Sequence, residues 1–414
     1  MSDARRFFLI AGEPSGDRLG AALMRGLRAE SDVECQFEGV GGSAMAAEGL
    51  ESLFDIRDIA VMGFAEVVPK LATIRRRLRQ TTDAVLKSAP DALITIDAPG
   101  FGLRVAKATR ARSDACFVHY VAPSVWAWRP KRAEMMAEHT DHLLALLPFE
   151  PPYFEAVGLS CDSVGHPVVE ATAQIDPGDI GLRAELGVAA DAPLIAALPG
   201  SRRGEVARLG EVFGAALQQV SQRVPRLQVL VPAAENVVDQ VKAMAATWPL
   251  PAYIVDPRGL PFAEAERRKF RAMAAADAAL AASGTVSLEL AAMRTPMVIG
   301  YRTSWLTAQM VKRLINIDTA TLVNLLVKRK VVPEFFQEAC TPEALAEALT
   351  RVLVEGSAEL RAQLSAADEA LQMLGRGGTA PSIRAARSVL EAMEKHKVHG
   401  PASRRRAQPV TGRS

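Results

Sequence analysis

The sequence predicts an α/β protein of two doubly wound parallel-sheet domains facing a cleft, with a C-terminal helix packed back on the first. Three observations carry that expectation. Short apolar runs alternate with amphipathic helical patterns almost throughout, the signature of βα units. The runs fall into two series, separated by the Gly-, Pro- and Asp-rich stretch GHPVVEATAQIDPGDIGLR at 165–183. At 414 residues the chain is also long enough for each series to bury its own core.

Taken in order, the expected strands of the first series are Phe7–Ala11, Gln36–Val40, Ala92–Ile96, Phe117–Val121 and Leu143–Leu147. The helix after the first turn carries Leu19, Ala22, Leu23, Gly26 and Leu27 on one face, a core-facing stripe. The second series runs Leu194–Leu198, Leu227–Val231, Tyr253–Val255, Ala278–Ala281 and Met297–Gly300. The expected boundaries are a first domain over 1–170, a linker over 171–185 and a second domain over 186–375. A helix over 376–395 and a disordered tail over 396–414, polar, basic and Pro-containing, complete the chain.

The totals exclude several classes. A formal charge of +2 gives no reason to propose nucleic acid as a partner. Cys35, Cys116, Cys161 and Cys340 are scattered without a C-x-x-C pair and read as small hydrophobes in a reducing compartment. No stretch approaches the roughly 18 apolar residues that span a bilayer, and the first residues lack a signal-peptide pattern. A cytoplasmic protein is expected, with binding to a membrane surface left open.

Three strand–turn–helix junctions hold the candidate chemistry. FFLIAGEPSGDRLG opens the chain with a glycine turn that matches no standard dinucleotide or phosphate fingerprint. Its Glu13 and Asp17 suit sugar hydroxyls better than bare phosphate. AALPGSRRGEVARLG brings Gly200, Ser201, Arg202, Arg203 and Glu205 to the start of a helix, where backbone N–H groups and guanidinium suit a diphosphate. LAASGTVSLELA supplies a second such turn at Ser283, Gly284 and Thr285, with Glu289 one helical turn later to accept ribose hydroxyls. Either turn taken alone could do no more than cap its helix; together, on successive units of one domain, they point to a nucleotide.

LITIDAPGFGLR ends an apolar strand with Asp97, a candidate general base facing the cleft, although Asp before Ala-Pro-Gly is also ordinary turn chemistry. EHTDH, with His139 and His142, reads as a solvated helix end; His119 and His166 stand alone as structural histidines. No D-x-D or G-x-S-x-G occurs, so nothing recommends a diphosphate-bound metal or a serine hydrolase. IAVMGFAEVVPKLATIRRRLRQ sets Met62, Phe64, Val67, Val68 and Leu71 beside Arg75, Arg76, Arg77 and Arg79. That pattern suits an anionic lipid surface or a core-facing helix with a charged end. SWLTAQMVKRLINI at 304–317, with Trp305, Leu306, Met310, Val311, Lys312 and Arg313, poses the same pair of readings.

AGEPSGD (11–17), GVGGSAM (39–45), IAVMGFAEVVPKL (59–71), IDAPGF (96–101), VAPSVWAWRPKR (121–132) and LLPFEPPYF (146–154) form an ordered set. It continues with VGHPVVE (164–170), LPGSRRGEV (198–206), ASGTVSLE (282–289) and PMVIGYR (296–302). This run, over residues 7 to 350, resembles the lipid-A-disaccharide synthases, inverting glycosyltransferases of the GT-B type. The chain departs from that pattern at Pro14, where Ala is usual, and in LVNLLVKR (322–329), where LPNLLAGR is usual.

The resemblance implies two Rossmann-like domains and transfer from UDP-2,3-diacylglucosamine to 2,3-diacylglucosamine 1-phosphate. The product is the β-1,6-linked tetraacyl disaccharide 1-phosphate, formed without cofactor or metal at the inner face of the inner membrane. It implies Asp97 as the base. Gly200, Ser201, Arg202, Arg203, Glu205, Ser283, Gly284, Thr285, Glu289 and Asn324 are then on the UDP side. Glu13, Ser15, Gly16 and Asp17 are on the acceptor side. Met62, Phe64, Val67, Val68, Leu71, Arg75 and Arg76 would meet acyl chains or the anionic membrane. Assembly into a homo-oligomer is left open. A UDP-sugar 2-epimerase, which would act on a soluble substrate, and a non-catalytic nucleotide or lipid carrier are the competing readings.

Overall fold

The computed structural model describes residues 4–59, 64–97, 99–303 and 319–399. It divides into two units, Met1–Pro167 with Gly377–Ser414, and Val168–Arg376. Both are α/β, each with a six-stranded parallel sheet, the fold class expected from the alternating pattern.

In the first unit the strands are β1 (Arg5–Ala11), β2 (Cys35–Val40), β3 (Ala92–Ile96), β4 (Cys116–Tyr120), β5 (His142–Ala145) and β6 (Ser160–Ser163). Their order is β2-β1-β3-β4-β5-β6. β3 and β4 are buried at every position, as central strands covered on both faces must be. The order reverses between β1 and β3. In open parallel sheets the crevice beyond the carboxyl ends at such a reversal is where ligands bind.

The C-terminal helix Pro381–His399 packs along helix Pro14–Glu30, adding Ala385, Ala386, Val389 and Met393 to the core under β1. The approach is close: a Cβ on Gly26 would lie 2.5 Å from the Ser382 carbonyl oxygen. Polar ties reinforce it. Arg387 pairs with Glu30 at 2.6 Å, and the Ser388 hydroxyl bonds His142 Nε2 at 2.7 Å and donates to Asp162 at 2.6 Å. Two expectations are corrected here. The helix continues through His396 to His399, so residues 396–399 are not tail, and 400–414 lie outside the described residues. His142 is not on a solvated helix end. It is a buried β5 residue, with Ser160 and Ser388 on its two ring nitrogens.

In the second unit the strands are β7 (Leu194–Leu198), β8 (Gln228–Pro232), β9 (Ala252–Val255), β10 (Ala278–Ala281), β11 (Met297–Tyr301) and β12 (Glu334–Phe336). Their order, β12-β11-β10-β7-β8-β9, reverses between β7 and β10. Helices Arg203–Ser221 and Pro342–Leu353 bury Leu209, Phe213, Leu217, Leu345 and Leu349 against the sheet. Helices Val168–Ala171 and Gly181–Leu186 overlap the two ends of the stretch expected as linker, and both belong to this unit.

Edge strands β6, with the polar sequence SCDS, and β12, only the three residues EFF, had no counterpart among the expected strands. Among the described residues no helix is long and apolar enough to cross a membrane. The Trp305–Arg313 stretch lies outside them.

Candidate active site

The reversal point of the first sheet brings the turn after β1 against the end of β3. Glu13 is the extended residue before helix Pro14–Glu30, and Pro14 takes the first helical position, where its missing N–H costs nothing. A Cβ on Gly16 would sit 3.1 Å from the Ile96 carbonyl oxygen, so this glycine lets the helix start close over β3. Next along β3, Asp97 adopts the left-handed conformation (φ 51°) and donates its N–H to Tyr120 O at 2.9 Å. Its carboxylate accepts the Ser15 hydroxyl at 2.8 Å. Ser15 and Asp97, 82 positions apart in sequence, thus form one half-exposed polar pair at the carboxyl edge.

Asp17 does something else. Its buried carboxylate accepts the backbone N–H groups of Gly42 (2.7 Å), Ala44 (2.9 Å) and Met45 (3.0 Å), pinning the start of helix Ser43–Ala47. A Cβ on Gly42 would meet the Asp17 carboxylate at 2.6 Å, which explains the second glycine of the GG pair in GVGGSAM. Asp17 and Gly16 thus have structural roles at this turn, beside Glu13 and Ser15.

Beneath Asp97 lies His119, fully buried on β4 opposite Thr95. Its Nδ1 bonds the Thr95 hydroxyl at 2.7 Å, while Nε2 has no hydrogen-bond partner among the described residues. Burial pushes its imidazole down to about 4, against the pull of the Asp97 carboxylate and with help from Arg132, so the ring is neutral at physiological pH. One residue past β4, Val121 has φ 85°, a conformation that costs a β-branched residue of order 1–3 kcal/mol. Strain at two adjacent strand ends, Asp97 and Val121, marks this edge.

The segment that follows is latched. The Trp126 indole N–H donates to Glu150 Oε1 at 3.2 Å, Leu147 N–H donates to Oε2 at 3.0 Å, and the Trp126 ring stands edge-on to Phe149. Burial pushes the Glu150 carboxyl up to about 7 despite these bonds. Glu150 had no role in the sequence reading; a charged residue closing the run LLPFE between an apolar strand and two prolines was the available signal.

In the second unit the two glycine turns meet because β10 lies beside β7, with Ala281 opposite Leu198 and Ala282 N–H bonded to Leu198 O at 2.8 Å. Gly200 needs its freedom: φ is 117°, and a Cβ would fall 2.5 Å from Glu205 Oε2. Ser201, Arg202 and Arg203 are exposed at the head of helix Arg203–Ser221. Glu205 is buried and turned inward, accepting the N–H groups of Ser201 (3.2 Å) and Arg202 (3.3 Å) and the Arg202 guanidinium (3.0 Å). It shapes the turn that carries Ser201 and Arg202.

Ser283 is half-buried and Gly284 and Thr285 are exposed at the neighbouring turn. Glu289 pairs with Lys269 at 3.0 Å. Burial works against the Lys269 ammonium, but Glu289 and Glu266 outweigh it and hold the group above its usual range.

Asn324, in the second unit, is held in a hydrogen-bonded turn. It is buried, and its amide oxygen accepts the N–H groups of Val331 and Val332, both at 2.9 Å. Its amide nitrogen donates to Val332 O (3.0 Å) and Glu334 Oε1 (2.9 Å). Glu334 in turn accepts the N–H groups of Ala320 and Thr321 at 2.9 Å. With its hydrogen-bonding groups so engaged, Asn324 fastens the turn that leads into β12. Met62 lies outside the described residues, and of Phe64, Val67 and Val68 only the backbone of helix Phe64–Ser88 is described. Leu71, Arg75 and Arg76 are exposed on that helix.

Comparison with known proteins agrees with this arrangement. Residues 7–377 match the family described as lipid-A-disaccharide synthetase. The lipid-A-disaccharide synthase of Ruegeria pomeroyi is 54% identical over 388 residues, 94% of this chain and 95% of the relative. That of Rhodospirillum centenum is 48% identical over 392 residues, 94% and 95% of the two chains. Among solved structures, Acinetobacter baumannii MurG aligns with a TM-score of 0.55 at 15% identity, covering 95% of this chain and 100% of its own. The UDP-GlcNAc 2-epimerase of Neisseria meningitidis, bound to UDP-GlcNAc, aligns at 0.59 and 10%, with 95% and 100% coverage. At such identities these structures establish the two-sheet GT-B fold alone. The near-complete match to the synthases, over the same segments that build both sheet reversals, shows that the chain belongs to the lipid-A-disaccharide synthase family of glycosyltransferases.

Proposed function

We propose that the chain transfers 2,3-diacylglucosamine from its UDP derivative to the 6-hydroxyl of 2,3-diacylglucosamine 1-phosphate, inverting the donor's anomeric centre and releasing UDP. The observation that supports this reading most directly is the Ser15–Asp97 pair, a carboxylate held at the carboxyl edge of a sheet reversal over a neutral buried histidine. Asp97 takes the proton as the acceptor oxygen forms its bond to the donor C1 and the C1–phosphate bond breaks. Glu13 and Ser15 hold acceptor hydroxyls. Negative charge developing on the leaving diphosphate is met by Arg202, Arg203 and the backbone of the Gly200 turn, with Ser283–Thr285 beside them. Glu289, steadied by Lys269, accepts the ribose hydroxyls. Leu71, Arg75 and Arg76, with Met62, Phe64, Val67 and Val68 preceding them in sequence, meet the acyl chains and an anionic membrane face. The protein then works as a peripheral enzyme at the inner face of the inner membrane.

The test is turnover of the two sugars in mixed micelles with EDTA present, products read by mass spectrometry, for wild type and Asp97→Asn. Asn tolerates the left-handed backbone and keeps an acceptor for Ser15, so the variant folds. Disaccharide 1-phosphate from wild type, reduced roughly 100- to 10,000-fold in the variant, is the expected result. Equal product from both proteins removes Asp97 from its role. Epimerised UDP-sugar without disaccharide overturns the reaction.

A further inference from the structure

The carboxylate that follows the second glycine turn is held by a residue from another helix. Glu289 lies in helix Val286–Ala292, one turn after Ser283–Thr285, and helix Phe262–Ala274 packs beside it. From that second helix the Lys269 ammonium donates to Glu289 Oε1 at 3.0 Å. The same nitrogen stands 3.2 Å from Glu266 Oε1 and 4.6 Å from the centre of the Phe270 ring. The three charged side chains are 23–29% exposed, and Phe270 beneath them is buried.

One ammonium serves two carboxylates here, so the cluster carries one net negative charge. Glu266 and Glu289, both within 3.2 Å of a single nitrogen, would repel and swing apart without it. An ion pair on an open surface fixes little, because both side chains stay mobile and solvated. This one is mostly covered, and Phe270 supports the lysine stem, so Glu289 is held in one place. Its two oxygens are not equivalent. Oε1 is committed to Lys269, whereas Oε2 accepts no hydrogen bond among the described residues. A fixed carboxylate with an open oxygen one turn beyond a glycine turn suits vicinal hydroxyls, which give it charge-assisted bonds.

We infer that Lys269 is a positioning residue that fixes the Glu289 carboxylate for the ribose diol, and so sets a preference for a ribonucleotide over a 2′-deoxyribonucleotide. This rests on the ribose contact proposed above for Glu289. Lys269 itself touches no part of the nucleotide; it acts through the oxygen it occupies and the one it leaves open. Its positive charge also offsets Glu266, so the carboxylate pair does not add two full negative charges beside a site meant for a diphosphate.

The experiment measures calorimetric affinity for UDP and for 2′-deoxy-UDP on the full chain. The proteins are wild type, Lys269→Met, Lys269→Gln, Lys269→Arg and Glu266→Gln, with circular dichroism confirming each fold. Wild type should prefer UDP by roughly 10- to 100-fold, the worth of a hydrogen bond to a charged group. Lys269→Met should narrow that preference to about twofold or less, chiefly by weakening UDP. Lys269→Gln, which also removes the charge, repeats the test where Met disturbs the fold. Lys269→Arg should restore most of the preference, and Glu266→Gln should keep it, because the contact to Glu289 survives in both. A neutral variant that weakens both nucleotides by the same factor, or neither, overturns the role of Lys269. So does Glu266→Gln if it loses the preference as the lysine variants do. In each of those cases the wild-type preference still stands. A wild type that binds the two nucleotides equally instead overturns the ribose contact on which the inference rests.

Discussion

Replacing Glu150 with Gln should make the stability of the first unit less dependent on pH. The carboxyl is almost wholly buried, and burial raises it from an ordinary value of 4.5 to about 7. Below pH 4.5 the acid is protonated in both folded and unfolded chains and imposes no penalty. As pH rises the unfolded chain releases the proton first, so the folded state loses ground until the pH passes about 7, where the loss is complete. The full penalty is about 3 kcal/mol, and about 2.5 kcal/mol of it accumulates between pH 5 and pH 8.

Gln carries no proton to titrate in this range. Its amide nitrogen also faces one of two N–H donors, Trp126 Nε1 or Leu147 N, and that mismatch costs about 1–3 kcal/mol at every pH. The offset cancels from the pH dependence. Glu150→Gln should therefore be less stable than wild type at pH 5 and should match or exceed it by pH 8. Cys161, whose thiol burial and the nearby carboxylates hold above its usual range, stays neutral throughout and adds no charge change of its own. Equilibrium urea denaturation at four pH values, followed by tryptophan fluorescence, measures the difference. Parallel profiles for the two proteins would refute the reasoning, because they would mean that Glu150 ionises as readily folded as unfolded.

Three further outcomes follow from the geometry. Gly200→Ala forces a side chain into φ 117° and onto Glu205, so calorimetric UDP affinity should fall at least roughly tenfold while circular dichroism is unchanged. Asp17→Ala leaves three backbone N–H groups without their acceptor and should cost about 3 kcal/mol or more in denaturation, with UDP affinity at the second unit intact. Lys328 caps helix Leu322–Val327 at φ 51°, where the family pattern has Gly; Lys328→Gly should raise the second unit's unfolding free energy by about 1 kcal/mol, and a loss of stability would contradict it.

The parts of the molecule legible in its sequence are those set by neighbours in the chain. Apolar runs such as Ala92–Ile96 and Leu194–Leu198 must be buried strands, and the glycine turns after them are visible as composition. Asp97 stands out because an apolar strand ends on a carboxylate. What could not be read is what strand order brings together. Ser15 reaches Asp97 only because β1 and β3 are adjacent, and the turns at 200 and 284 meet only because β10 inserts beside β7. The edge strands escaped for a different reason: Ser160–Ser163 is short and half-exposed, so burial never demanded an apolar run there. His142 was misplaced by the same limit, since its strand begins on a polar residue whose partners, Ser160 and Ser388, arrive from far along the chain.

Asp17, Glu205 and Asn324 share one ambiguity with one physical origin. A polar side chain at a glycine turn satisfies either a ligand or the turn's own unpaired backbone groups, and both uses select the same residue types. The deciding quantity is whether backbone N–H groups already converge on it. They do for Asp17 from Gly42–Met45, for Glu205 from Ser201 and Arg202, and for Asn324 from Val331 and Val332. Each of these groups is buried, whereas Ser201, Arg202 and Arg203 stand exposed on the turn that Glu205 shapes. An inactive variant at any of the three therefore reports on the loop that presents the ligand-binding groups. Loss of turnover at Asp97, with folding intact, reports on the chemistry, and denaturation measured beside kinetics is what separates the two.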